Sequence, residues 1–467
     1  MSSIFPTVAA VSTPRGKGGI AVIRISGDDA IPTAAKMFRP HFGTSYGGDL
    51  ANAPARVAQY GRILDSDDRP LDEGIATVYR APHSFTGENM VEISCHGGLA
   101  VTEATLLSAL AHGAEMAGPG DFTRRAFLNG KLSLTEAEAV GKLIDADTRE
   151  RMALSASAVR GAVSKELERI SADLLTPMTA LYAAIDYPEE DVGDEGEKTI
   201  GAAISRARDD VKRLLDTYSV GKAVTDGVKT VLCGRPNVGK SSVFNRMTGE
   251  DSAIVTELAG TTRDVLRETV SFGGVTLRLS DTAGIREADD AVEKIGVDRA
   301  ERELDGAELI LAIFDGSEPL TDEDRRLIAL LERQSAPVLS ILNKSDRGCA
   351  LTEAEIGEID AVSAARIAFS AERDDVKPLS DAVAALYGSD RVDLAADAVI
   401  WDVRQKDLLT RSYRALDDAA NALGAGDPID AVCTLAEEAM AALNETDGRG
   451  VDETIVSEIF KRFCVGK

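Results

Sequence analysis

The chain contains no run of about 18 consecutive apolar residues, the least that crosses a bilayer as a helix. Its opening, MSSIFPTVAAVSTPRGKGG, lacks the charged start and apolar stretch of a secretory leader, so a cytoplasmic location is expected. Cysteine is scarce. Cys95, Cys233, Cys349, Cys433 and Cys464 are odd in number and scattered, which argues against a disulfide framework and fits a reducing compartment. Basic residues are outnumbered, 52 Lys and Arg against 78 Asp and Glu, leaving a formal net charge of −26. So acidic a surface does not bind nucleic acid over its whole area, because that binding needs cations to neutralise phosphates. Any RNA contact must come from a local patch or a partner. Internal repeats and low-complexity segments are also missing.

What is present is length and pattern. With 467 residues, 44% of them hydrophobic, the chain is long enough for two or three domains with real cores. Residues 1–120 show short alternating apolar runs (GGIAVIRISG, EGIATVYRA, ENMVEISCHGG) broken by Gly, Pro and Asp, an α+β pattern rich in strands. Residues 121–220 turn to long helical periodicity, interrupted by PEEDVGDEGEK, which reads as a solvated loop. From Val228, short apolar strands alternate with amphipathic helices, predicting a parallel sheet covered on both faces over residues 221–388. Helices return over 389–467. The simplest reading is a multidomain α/β and α protein: an N-terminal domain, then a helical domain with a Ras-like P-loop α/β domain inserted in it.

The inserted domain carries the chemistry. GRPNVGKSS (234–242) is a G-x-x-x-x-G-K-S loop after an apolar strand and before a helix, the context such a match requires. Gly234 and Gly239 permit the tight path. The amides of Asn237, Val238, Gly239 and Ser242 and the helix start suit phosphate oxygens. Lys240 is placed for the β- and γ-phosphates and Ser241 for Mg2+. DTAG follows TLRLS; Asp281 would hold the metal through water, while Thr282, Ala283 and the Gly284 amide face the γ-phosphate. In NKSD, Asp346 can accept both guanine donors, Asn343 reads the base edge and Lys344 packs along it. Adenine would leave that carboxylate unpaired. Ser370 and Ala371 of SAE would offer backbone contacts to the guanine oxygen. Four such motifs, in order at strand ends, define a GTP- and GDP-binding GTPase.

Thr262, in VTELAGTTRDV, is the expected switch threonine and a second Mg2+ ligand; the bland alternative is a loop in which Thr261 and Thr262 cap a helix. Directly after DTAG stands Ile285, whose aliphatic side chain cannot position water. Arg286, Glu287 and Glu293 are the polar candidates nearby. A monovalent cation near the phosphates is another source of charge, with Asn237 as an oxygen ligand.

Over its full length the chain resembles the MnmE (TrmE) family of bacterial tRNA-modification GTPases, in the TrmE-Era-EngA-YihA-Septin-like group. The resemblance rests on TPRGKGGIAVIRISG, on PHSFTGENMVEISCHGG followed by GPGDFTRRAFLNGKLSLTEAEAVGKLIDA, and on the terminal CVGK. It implies a homodimer whose N-terminal domain binds 5-formyltetrahydrofolate or methylenetetrahydrofolate through Arg24, Glu92, Lys131 and Lys467. It implies K+ at Asn237, Thr256, Leu258 and Thr261, with Glu293 orienting water and Arg286 and Lys240 serving turnover. It further implies a heterotetramer with the flavin-using partner MnmG (GidA), adding an aminomethyl or carboxymethylaminomethyl group at C5 of the wobble uridine of certain tRNAs.

Cys464 has two readings. The resemblance implies a catalytic role in modification; most free cysteines are buried small hydrophobes, here one that would anchor the tail. The Cys95-His96 pair is a poor zinc pattern, with no second pair of ligands. A reading from another class, a GTP-regulated factor of ribosome or RNA assembly, explains the inserted domain but neither the N-terminal block nor CVGK.

Overall fold

The computed structural model describes residues 5–41, 48–186, 193–249, 267–280, 304, 306–451, 453–461 and 463–466. The chain divides into two compact units, Met1–Gly141 with Asp447–Lys467, and Lys142–Thr446.

In the first unit the alternating runs become β1 (Val8–Val11), β2 (Ile20–Ser26), β3 (Phe38–Pro40), β4 (Ala58–Leu64), β5 (Pro70–Tyr79), β6 (Met90–His96) and β7 (Glu115–Met116). They form one sheet in the order β3-β4-β5-β6-β2-β1-β7. The two-residue period sends Ile23, Ile25, Val91, Ile93 and Cys95 to one face, into a core shared with Ala34 and Met37 of helix Ala30–Met37 and Ala109 of helix Leu99–Ala111. Arg24 and Glu92 fall between those positions, directly opposite each other across β2 and β6.

The C-terminal segment closes this unit. Helix Glu453–Phe460 buries Phe460 to 1% exposure among Leu134, Ala137 and Val456. Its ring lies 5.1 Å from that of Phe463. Gly120, at φ +67°, passes so close that a side chain there would stand 2.7 Å from the Phe460 carbonyl. The Thr135 hydroxyl donates to the buried Asp447 carboxylate, and the Leu134 N–H donates to the Asp447 carbonyl at 3.0 Å. Val465 bridges to Pro119. The GPGDF and LSLTEAEA segments and the tail are thus one packed assembly.

In the second unit the strands are β8 (Val228–Cys233), β9 (Arg267–Phe272), β10 (Val275–Ser280), β11 (Leu309–Asp315), β12 (Val338–Asn343) and β13 (Ala365–Ala368), ordered β13-β12-β11-β8-β10-β9. β11 and β12 are buried along their whole length, as strands covered on both faces must be. The sheet is not wholly parallel. β9 runs antiparallel to β10 through a Gly273-Gly274 turn in which both residues have positive φ. The signal was legible as a glycine pair between alternating runs. Helices Gly193–Asp216 and Val403–Ala425 flank this segment in sequence and pack on each other, so the α/β portion is an insertion into helices.

A second expectation is corrected. GDEGEK, read as the second half of a loop, opens helix Gly193–Asp216. Ile200, Ala203, Ile204, Ala207, Val211 and Leu214 are all buried at helical spacing, and this stripe carries the helix back to Gly193 despite its polar start. Among the described residues no helix is long and apolar enough to cross a membrane.

Phe460→Ala should destabilise the first unit by about 3–5 kcal/mol, the usual cost of emptying a buried phenylalanine site. A urea transition followed by probes placed in that unit checks it; an unshifted midpoint would show that the tail does not brace the fold.

Candidate functional site

The loop after β8 takes the shape its sequence requires. Gly234 has φ +153° and Gly239 φ +97°, and a side chain on either would collide, with the Ile313 carbonyl at 2.4 Å and with Asn343 Nδ2 at 2.2 Å respectively. Asn237 is left-handed at φ +65°, conformational strain typical of a ligand loop. Helix Lys240–Thr248 begins directly after Gly239. Lys240 Nζ donates to the carbonyls of Gly234 at 2.8 Å and Arg235 at 2.9 Å, which curls the loop around its ammonium group. Burial lowers the Lys240 pKa from its ordinary value. A cation so desolvated gains when an anion enters the loop. Val238 is buried, Ser241 half-buried and Ser242 exposed.

Asn343, at the end of β12, is 2% exposed and ties three motifs together. Its Nδ2 donates to the Val238 carbonyl at 2.7 Å, and its Oδ1 accepts the Ala371 N–H at 3.1 Å. One amide hydrogen remains for a base edge. The Ala371 N–H, expected to meet the guanine oxygen, is satisfied by Asn343 instead, because a buried donor needs a partner. Lys344, left-handed at φ +63°, donates to the Asn237 carbonyl at 2.9 Å and to the Asp315 carboxylate at 2.6 Å. Burial raises the Asp315 pKa, but hydrogen bonds from Lys344 and Ser317 prevail and hold it below the usual range. That contribution is present at neutral pH and lost as acidification passes the folded-state pKa. Asp346 accepts from the Ser370 hydroxyl at 2.7 Å, the main cause of its lowered pKa. It is therefore an ionised double acceptor, the chemistry that recognises two adjacent N–H donors on a base.

Two partners of this site were not singled out from sequence. Arg235, inside the loop, donates to Glu318 at 2.7 Å and to Asp324 at 3.2 Å. Asp315 anchors Lys344. Only their positions, one in a phosphate loop and one ending an apolar strand, hinted at them.

In the first unit the expected folate contacts Arg24 and Glu92 meet each other at 2.7 Å, with Arg24 5.4 Å from the Phe85 and Phe122 rings. Lys131 is exposed and lies against Gly87. Beside them stands a buried pair that sequence reasoning missed. Arg125 Nη1 donates to both oxygens of Glu88, at 3.1 and 3.0 Å, and Glu88 also accepts from the Ser26 hydroxyl at 2.8 Å. Arg125 follows Phe122 by three residues, on the helix stripe that faces the core, and that spacing is the signal. Cys464 is exposed, so it is not the buried anchor of the tail; its carbonyl accepts the Gly120 N–H at 3.3 Å. Cys95 lies in the core while its neighbour His96 is exposed and pairs with Asp72 at 2.8 Å. Thr256, Leu258, Thr261, Thr262, Asp281, Thr282, Ala283, Gly284, Arg286, Glu293 and Lys467 lie outside the described residues.

A glycine-shaped phosphate loop after β8, joined through Asn343 to an ionised acid after β12, defines a P-loop nucleotide-binding domain of the GTPase class. Two family models match the chain, the GTP-binding protein TrmE N-terminus over residues 7–131 and the MnmE helical domain over residues 134–464. The tRNA modification GTPase MnmE of Lactiplantibacillus plantarum is 39% identical over 99% of each chain. That of Bacillus thuringiensis is 38% identical over 99% of this chain and 100% of its own. Among solved structures, the G domain of the T. maritima FeoB iron transporter covers 34% of this chain and 98% of its own at 21% identity, with a TM-score of 0.25. The chain belongs to the MnmE family of tRNA modification GTPases.

Asn343→Ala strands the buried Ala371 N–H and frees the loop carbonyl of Val238. The expected loss is about 1–3 kcal/mol, seen as roughly 10- to 100-fold weaker binding of a fluorescent GDP. Unchanged affinity would remove Asn343 from the organisation of the site.

Proposed function

We propose that this chain hydrolyses GTP to drive the modification of tRNA, with a flavin-dependent partner, by adding an aminomethyl or carboxymethylaminomethyl group at C5 of the wobble uridine. The observation that carries the GTPase part is the Asn343 tie, which draws the phosphate loop, the base-reading acid and the Ser370 loop into one pocket. The family and its printed activity support the tRNA part.

Within this reading the residues have separate tasks. Loop amides and Lys240 hold the β- and γ-phosphates, and Asp346 selects guanine. Ser241 fits Mg2+, a hard cation that takes most of its ligands from phosphate and water, together with Thr262 and, through water, Asp281. When bound, Mg2+ neutralises charge on the phosphates. The Asn237 side chain makes no hydrogen bond among the described residues and is available as an oxygen ligand for K+, with Thr256, Leu258 and Thr261. Glu293 orients the attacking water and Arg286 supports turnover.

The folate reading rests on a different observation. Arg24 and Glu92 offer a cation and an acid side by side, the cation against the rings of Phe85 and Phe122, chemistry that suits the glutamate tail and the pterin donors of a reduced folate. Lys131 and Lys467 add positive charge, and the one-carbon unit is what the carrier supplies. Cys464 is exposed, and that accessibility supports a role in modification. The chain works as a cytoplasmic homodimer and in a heterotetramer with the flavin protein. Its parts are an N-terminal folate and dimerisation domain (1–120), a two-part helical domain (121–220 and 389–467) and the GTPase domain (221–388).

Deleting the gene should abolish the wobble-uridine modification, read by mass spectrometry of digested tRNA; intact modification would refute the reading. Asp346→Asn should reduce preference for GTP over xanthosine triphosphate by on the order of 100-fold, because an amide offers a donor where the base also has one. Exchanging K+ for Na+ should slow GTP hydrolysis markedly, and equal rates in the two salts would remove Asn237 from catalysis.

A further inference from the structure

A cavity of about 780 Å3 opens in the second unit, lined by Ser157 and Arg160, by helix Ala162–Asp186, by helix Gly193–Asp216 with Thr217, and by the segment 391–398. Among the described residues, five cationic side chains line it against three carboxylates, the reverse of the balance in a chain of net charge −26. The compensation is uneven. Arg169 pairs with Glu166 at 2.7 Å and with the buried Asp210, and Arg213 also pairs with Asp210. Those two cations are already neutralised.

The other three are not. Arg160 Nη2 donates to the Ala395 carbonyl at 2.9 Å, and Lys165 Nζ donates to the Arg160 carbonyl at 2.9 Å. The Arg391 side chain has no hydrogen bond or ion pair among the described residues. All three are exposed and face one cavity without a carboxylate partner. Two are pinned by backbone carbonyls, which fixes their charge at the wall and reduces the entropy an incoming anion must remove. Among the described residues no aromatic lines the cavity, a lining that suits a phosphate backbone more than stacked bases. Asp397, whose carboxylate accepts the Asp393 N–H at 2.8 Å, is the one lining carboxylate with no cationic partner.

We propose that Arg160, Lys165 and Arg391 form a phosphate-binding groove that takes the sugar–phosphate backbone of RNA. The inference rests on the reading that tRNA is the substrate, and it names where this acidic chain grips it. Contacts of this kind position an RNA and do not read its sequence. Asp397 sets one edge of the path, since phosphate is repelled there.

The test is binding of the full chain to fluorescent tRNA over a range of KCl concentrations. Arg160→Ala with Lys165→Ala and Arg391→Ala should weaken binding by on the order of tenfold or more and reduce the slope of log K against log salt by about 2 to 3. Arg391→Ala alone, which breaks no contact, should reduce that slope by about 1. Asp397→Asn should tighten binding. GTP hydrolysis without RNA should be unchanged in all of them. If wild type and the triple variant share one affinity and one slope, the groove is overturned and the tRNA reading stands. If the wild-type chain binds no tRNA at any salt, both fall.

Discussion

The buried side chain of Asn343 is the constraint on which the nucleotide pocket depends. β8 and β12 are not neighbours in the sheet, since β11 lies between them. The loops that follow them are therefore held together by side chains and not by strand pairing. Asn343 does this with two hydrogen bonds, one to each flanking loop, from a site too buried for water to compete. Lys344 adds a second strut between the Asn237 carbonyl and Asp315. The pocket is consequently preorganised before any ligand arrives, and little of the binding energy goes into ordering it.

The same logic, with charge in place of an amide, runs through the first unit. Glu88 and Arg125 are each less than a tenth exposed, and removing either partner would leave an uncompensated buried charge, a loss of about 3–5 kcal/mol. They come from PHSFTGENMVEIS and GPGDFTRRAFLNGK, the two halves of the block that carries the family resemblance. Part of what makes that block distinctive is thus structural. Ser26, Thr86 and Glu88 form one hydrogen-bonded cluster, and it fixes the segment that leads from Phe85 into β6. Phe85 in turn packs beside Arg24, so the buried pair orients a neighbour of the expected folate contacts without belonging to them.

Legibility in the sequence followed the range of the interaction that mattered. Glycines in tight loops, strand ends and helix periodicity are local, and Gly234, Gly239, β11 and β12 were readable one segment at a time. Pairings that close over long sequence gaps were not. Nothing near Asp447 announces that it accepts from Thr135, more than 300 residues earlier. The tail was readable as a motif, CVGK, but not as the strand-like cover that brings Val465 to Pro119. The helix starting at Gly193 was hidden for the opposite reason. Its polar first turn looks like a loop, and only the buried stripe beginning at Ile200 overrides that impression.

Charge ties these observations together. In a chain so acidic, several cations beside the two sites are committed to carboxylates: Arg235 to Glu318 and Asp324, Lys344 to Asp315, Arg169 and Arg213 to Asp210. A cation with no carboxylate partner keeps its charge available to an anion, and such cations stand at both sites described above. Among the described residues, Lys240 is held by carbonyls inside the phosphate loop, and Arg160 and Lys165 by carbonyls at the rim of a cavity. Carbonyls orient an ammonium or guanidinium group without cancelling its charge, so they leave it able to receive an anion. Negative charge elsewhere also keeps polyanions from binding indiscriminately, which favours sites where cations free of carboxylates are gathered.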